Sequence, residues 1–417
     1  MKAAILSMPA KFVVHYSEVA LKGNNRPEFV KALRRNINKS LTGIDHQTVL
    51  ADGRFMVAAE GDGAGVARRL SRVFGVSWVA PVSTVKPDYQ EILTTVLGSA
   101  ASAPGRSFKI DPRRSDKSFP LTSQELATKL GAEVVGATGK TVDLSNPDVA
   151  IHVDLIRGNA LVYTDKLRGP GGLPIGTAGR VMHLFSGGID SPVAAWLLMK
   201  RGCRPVYVHF YLGPSPKTAL ESKITKLVKV LSDYSGKITI VLLSFAEYQL
   251  ATAGGPPDLE PSLFRRFMRM TAEALAPRFG ASAIATGDSL SQAASQTLWN
   301  IASFDDGSSL PILRPLLTYD KEEIVSLAKT IGTYELSLEE YMDCCAIITR
   351  HPRTKVRSDI IAEYVRRFGL QDLVWKALDR ATLVTYNPVG DVLKSASLAE
   401  LAPRASVGRL TPPRPEE

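Results

Sequence analysis

Apolar and polar positions follow two different rhythms along this chain. Over the first 165 residues the apolar runs are short and change period often. Residues 11–16 have the apolar density of a strand, and residues 17–26 form a loop containing Gly and Asn. Residues 27–40 read as an amphipathic helix that also carries Lys31, Arg34, Arg35 and Lys39. Residues 47–60 read as a hairpin that turns at Asp52-Gly53, a dipeptide that accepts the positive φ such turns need. Residues 64–74 form a second helix bearing Arg68, Arg69 and Arg72. Then come a strand at 78–82, a helix at 89–101, a strand at 107–111, a helix at 122–136, and strands at 150–156 and 160–165. After residue 180 the rhythm becomes a regular alternation. Strands at 181–185, 205–211, 237–244 and 281–286 are separated or followed by helices at 191–201, 218–234, 259–279 and 320–332.

The first six elements, in the order strand–helix–strand–strand–helix–strand, predict a small α+β domain of the ferredoxin-like kind at residues 1–75. Residues 76–168 form a second α+β domain. Residues 169–179 hold five Gly and Pro within Gly169-Pro170-Gly171-Gly172-Leu173-Pro174 and read as a linker. The alternating pattern over 180–385 predicts an α/β domain with a doubly wound parallel sheet. Residues 386–417, ending in Thr-Pro-Pro-Arg-Pro-Glu-Glu, are expected to be a loosely ordered tail.

The 417-residue length suits several domains, and no apolar stretch reaches the ~20 residues of a membrane span. The N-terminal MKAAILSMPAKF has too short an apolar part for a signal peptide and runs straight into a strand, so a cytoplasmic protein with no membrane partner is expected. Three cysteines, Cys203, Cys344 and Cys345, do not make a secreted disulfide framework, and none has zinc spacing. The net charge of +10 is uneven. Residues 1–176 hold 23 Lys and Arg against 16 Asp and Glu, and the rest hold 28 against 25. A polyanion held by the front half and a solvated basic surface are equally good readings of that balance alone.

The chemistry concentrates at Leu184-Phe185-Ser186-Gly187-Gly188-Ile189-Asp190-Ser191-Pro192, between a strand and a helix. A Gly turn at a helix N-terminus aims backbone N–H groups and the helix dipole at an anion, so it cradles phosphate. No Gly-Lys-Ser/Thr follows, which excludes the common P-loop, and Asp190 would repel phosphate unless Mg²⁺ lay between them. A second Gly-rich stretch, Gly136-Ala137-Thr138-Gly139-Lys140-Thr141, imitates a P-loop, but Val134 stands where its first glycine should be; it reads as a turn between helix and strand.

Ser-Gly-Gly-x-Asp-Ser resembles the PP-loop of enzymes that split ATP between the α and β phosphates. With it go His209-Phe210, Ala285-Thr286-Gly287-Asp288, Ser295-Gln296-Thr297, the Ser17 to Arg26 loop, Gly172 to Thr177, and Asp343-Cys344-Cys345-Ala346-Ile347-Ile348-Thr349-Arg350-His351-Pro352. Together, over about residues 10–380, these resemble the tRNA 4-thiouridine synthetase family, ThiI, whose domain order is ferredoxin-like, THUMP and PP-loop (an adenine nucleotide α-hydrolase-like fold). The resemblance implies ATP at Leu184, Phe185, His209, Phe210, Arg265, Gly287 and Gln296, with its phosphates on Ser186, Gly187, Gly188, Asp190 and Ser191. Asp190 is implied to handle Mg²⁺ and pyrophosphate, with no metal held by protein alone. The reaction implied is adenylation of uridine O4, at position 8 of tRNA, followed by attack of sulfur on C4.

The family's persulfide cysteine aligns with Cys345, beside Arg350 and His351, which would favour the thiolate. Many members carry a C-terminal rhodanese domain, for which 417 residues leave no room. Sulfur is therefore expected from a cysteine desulfurase or another donor, with an external thiol resetting the site. The THUMP resemblance implies contact with the tRNA 3′ end, and the basic residues expected there are Lys22, Arg26, Arg34, Arg35, Arg113, Arg114 and Lys117. Arg113, Arg114 and Lys117 are read as an arginine-rich loop at a strand end. A homodimer is left open. The alternatives are a 2-thiouridine-type PP-loop thiolase and a non-catalytic THUMP RNA-binding protein.

Overall fold

The computed structural model describes residues 9–341, 344, 352–387 and 391–399. They form two compact units, divided between Leu173 and Pro174.

In the first unit, β1 (Ala10–Tyr16), α1 (Arg26–Ser40), β2 (His46–Ala51), β3 (Arg54–Ala59), α2 (Gly63–Leu70) and β4 (Val76–Pro81) make an antiparallel sheet in the order β4-β1-β3-β2, the ferredoxin-like arrangement. The β2–β3 turn has positive φ at Asp52 (45°) and Gly53 (74°), as its sequence requires. The loop between β1 and α1 coils into two 3-10 turns.

The same unit continues with β5 (Ser83–Val85), α3 (Tyr89–Ser102), β6 (Ser107–Arg114), α4 (Ser123–Thr138), β7 (Thr141–Val142), β8 (Val149–Ile156) and β9 (Asn159–Tyr163), a sheet in the order β5-β9-β8-β6-β7. A capping box of Thr122 and Glu125 starts α4, and Gly139 at φ 68° ends it, so the P-loop look-alike is a helix stop. β10 (Leu167–Arg168) returns to pair with β4.

The second unit is built on a seven-stranded sheet. Its elements are β11 (Arg180–Leu184), α5 (Asp190–Lys200), β12 (Arg204–Tyr211), α6 (Lys217–Leu220), α7 (Lys223–Ser235), β13 (Ile238–Ser244), α8 (Ala246–Ala251), α9 (Glu260–Phe279), β14 (Ala281–Ala285), α10 (Leu298–Asp305), β15 (Ile312–Leu313), α11 (Lys321–Ile331), α12 (Tyr334–Leu338), α13 (Ser358–Arg367), α14 (Leu370–Asp379), β16 (Thr382–Tyr386) and β17 (Val392–Ser397). The order is β15-β14-β11-β12-β13-β16-β17, parallel through β13 and antiparallel at the last two strands. α5, α7, α11 and α12 pack together on one side, and α9, α10, α13 and α14 on the other. The chain runs outward from β11 to β12 and β13, then crosses back to β14 on β11's other side. That reversal puts a crevice at the carboxyl ends of β11 and β14, where doubly wound sheets bind ligands.

Four expectations change. The first α+β domain does not end at residue 75, since β4 (Val76–Pro81) pairs with β1 in its sheet. Residues 218–234 are two helices, because Ser222 accepts the Ile224 N–H and caps a new start. Arg113 and Arg114 are not in a loop: β6 runs on to Arg114, in parallel register with Asp154 and Leu155 of β8. Residues 392–397 are not a loose tail, since β17 pairs with β16 and Leu398 is buried. The segment Val-Leu-Lys-Ser-Ala-Ser has no period-2 alternation and is mostly exposed, so its sequence does not mark it as a strand.

Candidate functional site: a phosphate loop at the switch point

A cavity of about 600 Å³ opens at that crevice. Its wall includes Leu184, Phe185, Ser186, Gly187, Gly188, Asp190, Ser191, His209, Phe210, Arg265, Gly287 and Gln296, so every residue expected around ATP lies in one place. The cause is the parallel register: His183 pairs with Ala285, so the loops after β11 and β14 start side by side, and Leu184 pairs with Val208, so β12 runs on past the end of β11 and brings His209 and Phe210 into the same wall.

The phosphate loop is held from below. The Ser186 N–H donates to Ser191 Oγ at 3.1 Å. His183, fully buried under the loop, donates from Nε2 to the Ser191 carbonyl at 3.0 Å, and burial lowers its pKa to about 4, keeping it neutral. Gly287 is required by close approach: a Cβ there would lie 3.0 Å from Ser191 N and 3.2 Å from the Asp190 carbonyl carbon. His209 Nδ1 donates to the Phe185 carbonyl at 2.9 Å. That tautomer leaves Nε2 to accept from the Tyr341 hydroxyl at 2.8 Å.

Arg265 reaches the cavity, but its fork closes on Asp288 with bonds of 2.9 and 2.7 Å, and it stacks on Phe304. Asp288 also accepts from Thr286 Oγ1 at 2.8 Å and Arg314 Nε at 3.3 Å. These donors outweigh the burial of Asp288 and hold its pKa below the ordinary value. Asp190 pairs with Lys321 Nζ at 2.8 Å and accepts from Gln292 Nε2 at 3.1 Å. Gln296 Oε1 is buried with no protein partner among the described residues and faces a ligand-sized space.

Cys344 lines the cavity, buried, with Sγ donating to the Phe210 carbonyl at 3.1 Å. Cys345, with Arg350 and His351, lies outside the described residues. Cys203 is buried just past α5, and burial raises its pKa, as suits a core thiol. Sequence reasoning left out Lys223, Asp288, Gln292, Arg314, Lys321 and Tyr341. Asp288 had a signal, following Thr286-Gly287; the others are scattered singly.

On the first unit, Lys31, Arg34, Arg35 and Lys39 line a shallow groove with Asn38 and Thr42. Arg34 also donates to the Thr48 carbonyl at 2.8 Å, and Arg26 to the Tyr16 hydroxyl at 3.3 Å. Lys22 lies over the Phe29 ring. Arg113, Arg114 and Lys117 belong to the other sheet and its following turn. Arg113 is exposed, whereas Arg114 is occupied by the Lys117 and Phe119 carbonyls. Among the described residues no three His, Cys, Asp or Glu gather as a metal cluster, and no helix is long and apolar enough to cross a membrane.

A phosphate loop at the switch point of a parallel sheet, preceded by two α+β sheets, defines a nucleotide-binding α/β protein of the PP-loop class. Residues 11–80 match the ThiI ferredoxin-like domain, 87–165 the THUMP domain, and 176–370 the thiamine biosynthesis protein (ThiI) model. A probable tRNA sulfurtransferase of Moorella thermoacetica is 38% identical over 390 residues, 93% of this chain and 100% of that protein. One from Anoxybacillus flavithermus is 35% identical, covering 90% of this chain and 96% of that one. Among solved structures, a 4-thiouridine synthetase–RNA complex with bound ATP is similar at 32% identity and a TM-score of 0.81, over 90% of this chain and 99% of that one. The chain belongs to the ThiI family of tRNA sulfurtransferases.

Proposed function

We propose that this protein is an ATP-dependent tRNA sulfurtransferase that makes 4-thiouridine at position 8. The observation that carries the reading is the convergence of Ser186–Ser191, Gly287 and Gln296 on one cavity in a chain that also holds a THUMP domain. ATP sits with its base near Phe210 and its phosphates on the loop. Uridine O4 attacks the α-phosphorus, the Pα–O bond to the β-phosphate breaks with its electron pair leaving on pyrophosphate, and the uracil N3 proton passes to water. Backbone N–H groups of the loop stabilise the charge that gathers there.

Mg²⁺ suits Asp190, since such an ion takes one or two carboxylates and completes its shell with phosphates and water. Asp288, by contrast, is buried with both oxygens held by arginines, whereas Asp190 is part-exposed and its partners are one lysine and one amide. When bound, the ion neutralises phosphate oxygens. The terminal sulfur of a persulfide on Cys345 then attacks C4 and AMP departs; an external thiol attacks the Cys345 sulfur, releasing 4-thiouridine and leaving a mixed disulfide, and a second external thiol frees Cys345 as the two leave as a disulfide. A cysteine desulfurase or other donor recharges the cysteine. The tRNA lies on the basic residues of the first unit, in a cytoplasmic enzyme.

The test is nucleoside analysis of unmodified tRNA after incubation with ATP, Mg²⁺, a desulfurase and cysteine. 4-Thiouridine is expected. 2-Thiouridine, or no thionucleoside with ATP left intact, would overturn the reading. Comparing Cys345→Ala with Cys344→Ala assigns the sulfur carrier: loss is expected in the first, and loss only in the second would move the role to Cys344.

A further inference from the structure

We propose that Asn300 is a positioning residue that couples ATP cleavage to sulfur transfer, by tying residues 293–296 of the cavity wall to residues 352–356, which follow the stretch holding Cys344 and Cys345. The inference rests on the sulfurtransferase reading above and adds to it a residue that does not itself line the cavity.

Asn300 is the third residue of α10 and only 3% exposed. The helix itself does not call for an asparagine there. Thr297 already caps it, with Oγ1 accepting the Asn300 N–H at 3.2 Å, and asparagine is a poor helix former. A buried amide costs free energy unless its bonds are made. Here they are made across the fold. Nδ2 donates to the Ala294 carbonyl at 2.7 Å and to the Arg353 carbonyl at 2.8 Å, while Oδ1 accepts the Val356 N–H at 3.0 Å. Two carbonyls and one N–H need two donors and one acceptor, and the asparagine amide offers that set on a short stem.

The two segments it joins meet at the ATP cavity from 53 residues apart in sequence, counted from Asn300 to Arg353. Ala293, Ala294, Ser295 and Gln296 line one part of the wall, and Cys344 and Pro352 another. Thr297 Oγ1 strengthens the tie by donating to the Thr354 carbonyl at 2.6 Å, and the Arg353 N–H donates to the Asp258 carbonyl at 3.0 Å. Cys345 stands seven positions before Pro352. The bonds of Asn300 therefore set where the chain beyond the sulfur carrier is anchored, relative to the wall that meets the nucleotide. Adenylation of uridine uses the phosphate loop and makes no demand on the cysteine. Attack of the persulfide on C4 does, and misplacement of reacting groups by ~1 Å costs ~10²-fold in rate. An adenylated uridine that waits too long is lost to water, which adds at C4, expels AMP and restores uridine. Pyrophosphate is then made without 4-thiouridine.

The test uses the full chain with unmodified tRNA, ATP, Mg²⁺, a desulfurase, cysteine and a reducing thiol, and follows pyrophosphate and 4-thiouridine in the same reaction. Wild type sets the reference ratio of the two products. Asn300→Ala should slow 4-thiouridine formation by ~10²-fold and pyrophosphate release by much less, so that the ratio of pyrophosphate to 4-thiouridine rises ~10-fold or more. The KM for ATP should rise by less than about tenfold, the worth of one hydrogen bond to the wall. A purely structural role would lower both products together, so an unchanged ratio, whatever the two rates, would overturn the proposal. If that variant fails to fold, Asn300→Asp decides. It keeps the shape and the Val356 bond but turns a carboxylate onto two carbonyls, so a raised ratio is expected and the wild-type ratio would overturn the proposal. The reading above fails separately: a wild-type protein that makes no 4-thiouridine, or a Cys345→Ala variant that still makes it, removes the step that Asn300 serves.

Discussion

The Asp190 carboxylate and the Lys321 ammonium lie 2.8 Å apart, each on the first residue of its helix, and so join the phosphate loop to a helix 131 residues further along. The capping box of Asp320 and Glu323 fixes the start of α11 and presents Lys321 there. Both side chains keep contact with solvent, at 47% exposure for Lys321 and 24% for Asp190, so the pair contributes at most about 1 kcal/mol to stability. Lys321→Met should leave urea denaturation nearly unchanged while lowering pyrophosphate formation ~10²-fold or more. Equal losses of stability and rate would mark the pair as structural.

Arg54 and Asp154 form a buried ion pair at 2.7 Å inside the first unit, with Tyr163 Oη donating to Asp154 at 3.3 Å. Asp154→Ala strands a buried guanidinium and should cost about 3–5 kcal/mol in urea denaturation. Replacing both members, Arg54→Met with Asp154→Leu, should recover most of that loss. A double variant as unstable as the single one would show that packing, not stranded charge, sets the cost.

Acid should destabilise the second unit through His183. Its folded pKa is about 4 against 6.5 when unfolded, so the unfolded chain takes the proton first. Stability is full above pH 6.5, falls by up to about 1.4 kcal/mol per pH unit below it, and levels off near pH 4. His183→Gln should flatten the melting temperature between those limits. His15 and His152, lowered mainly by burial in the first unit, make the same trend shared, so the readout is the difference between variant and wild type.

Arg35 and Arg113 are the cleaner probes of the tRNA surface, because Arg34 and Arg114 also hold backbone carbonyls. Arg35→Ala with Arg113→Ala should weaken tRNA binding and lower the salt slope by ~0.7–0.9 for each phosphate left without its arginine, with ATP affinity kept. An unchanged slope would remove both from the footprint.

Much of this is legible along the chain. Asp52-Gly53 announces its hairpin, Thr122 and Glu125 their helix start, and Ser186–Ser191 a strand–turn–helix phosphate loop. Each is a short-range relation between residues whose chemistry acts within one turn. Sequence and structure part where the local signal is interrupted or missing. Ser222 cuts one apolar-periodic stretch into two helices, and Val392–Ser397 has no period-2 alternation to mark it as a strand; only pairing with β16 makes it one.

Periodicity, turn residues and capping are local, so they define elements, their order and the phosphate loop without reference to distant contacts. Which residues share the cavity depends on strand register and on the reversal between β11 and β14. Gly287 against Ser191, His209 beneath Tyr341, Arg265 closed on Asp288 and Asn300 on Arg353 are all meetings of distant stretches. Only the folded sheet brings them within bonding distance, and it alone decided which charges are turned onto one another and which two segments one amide joins.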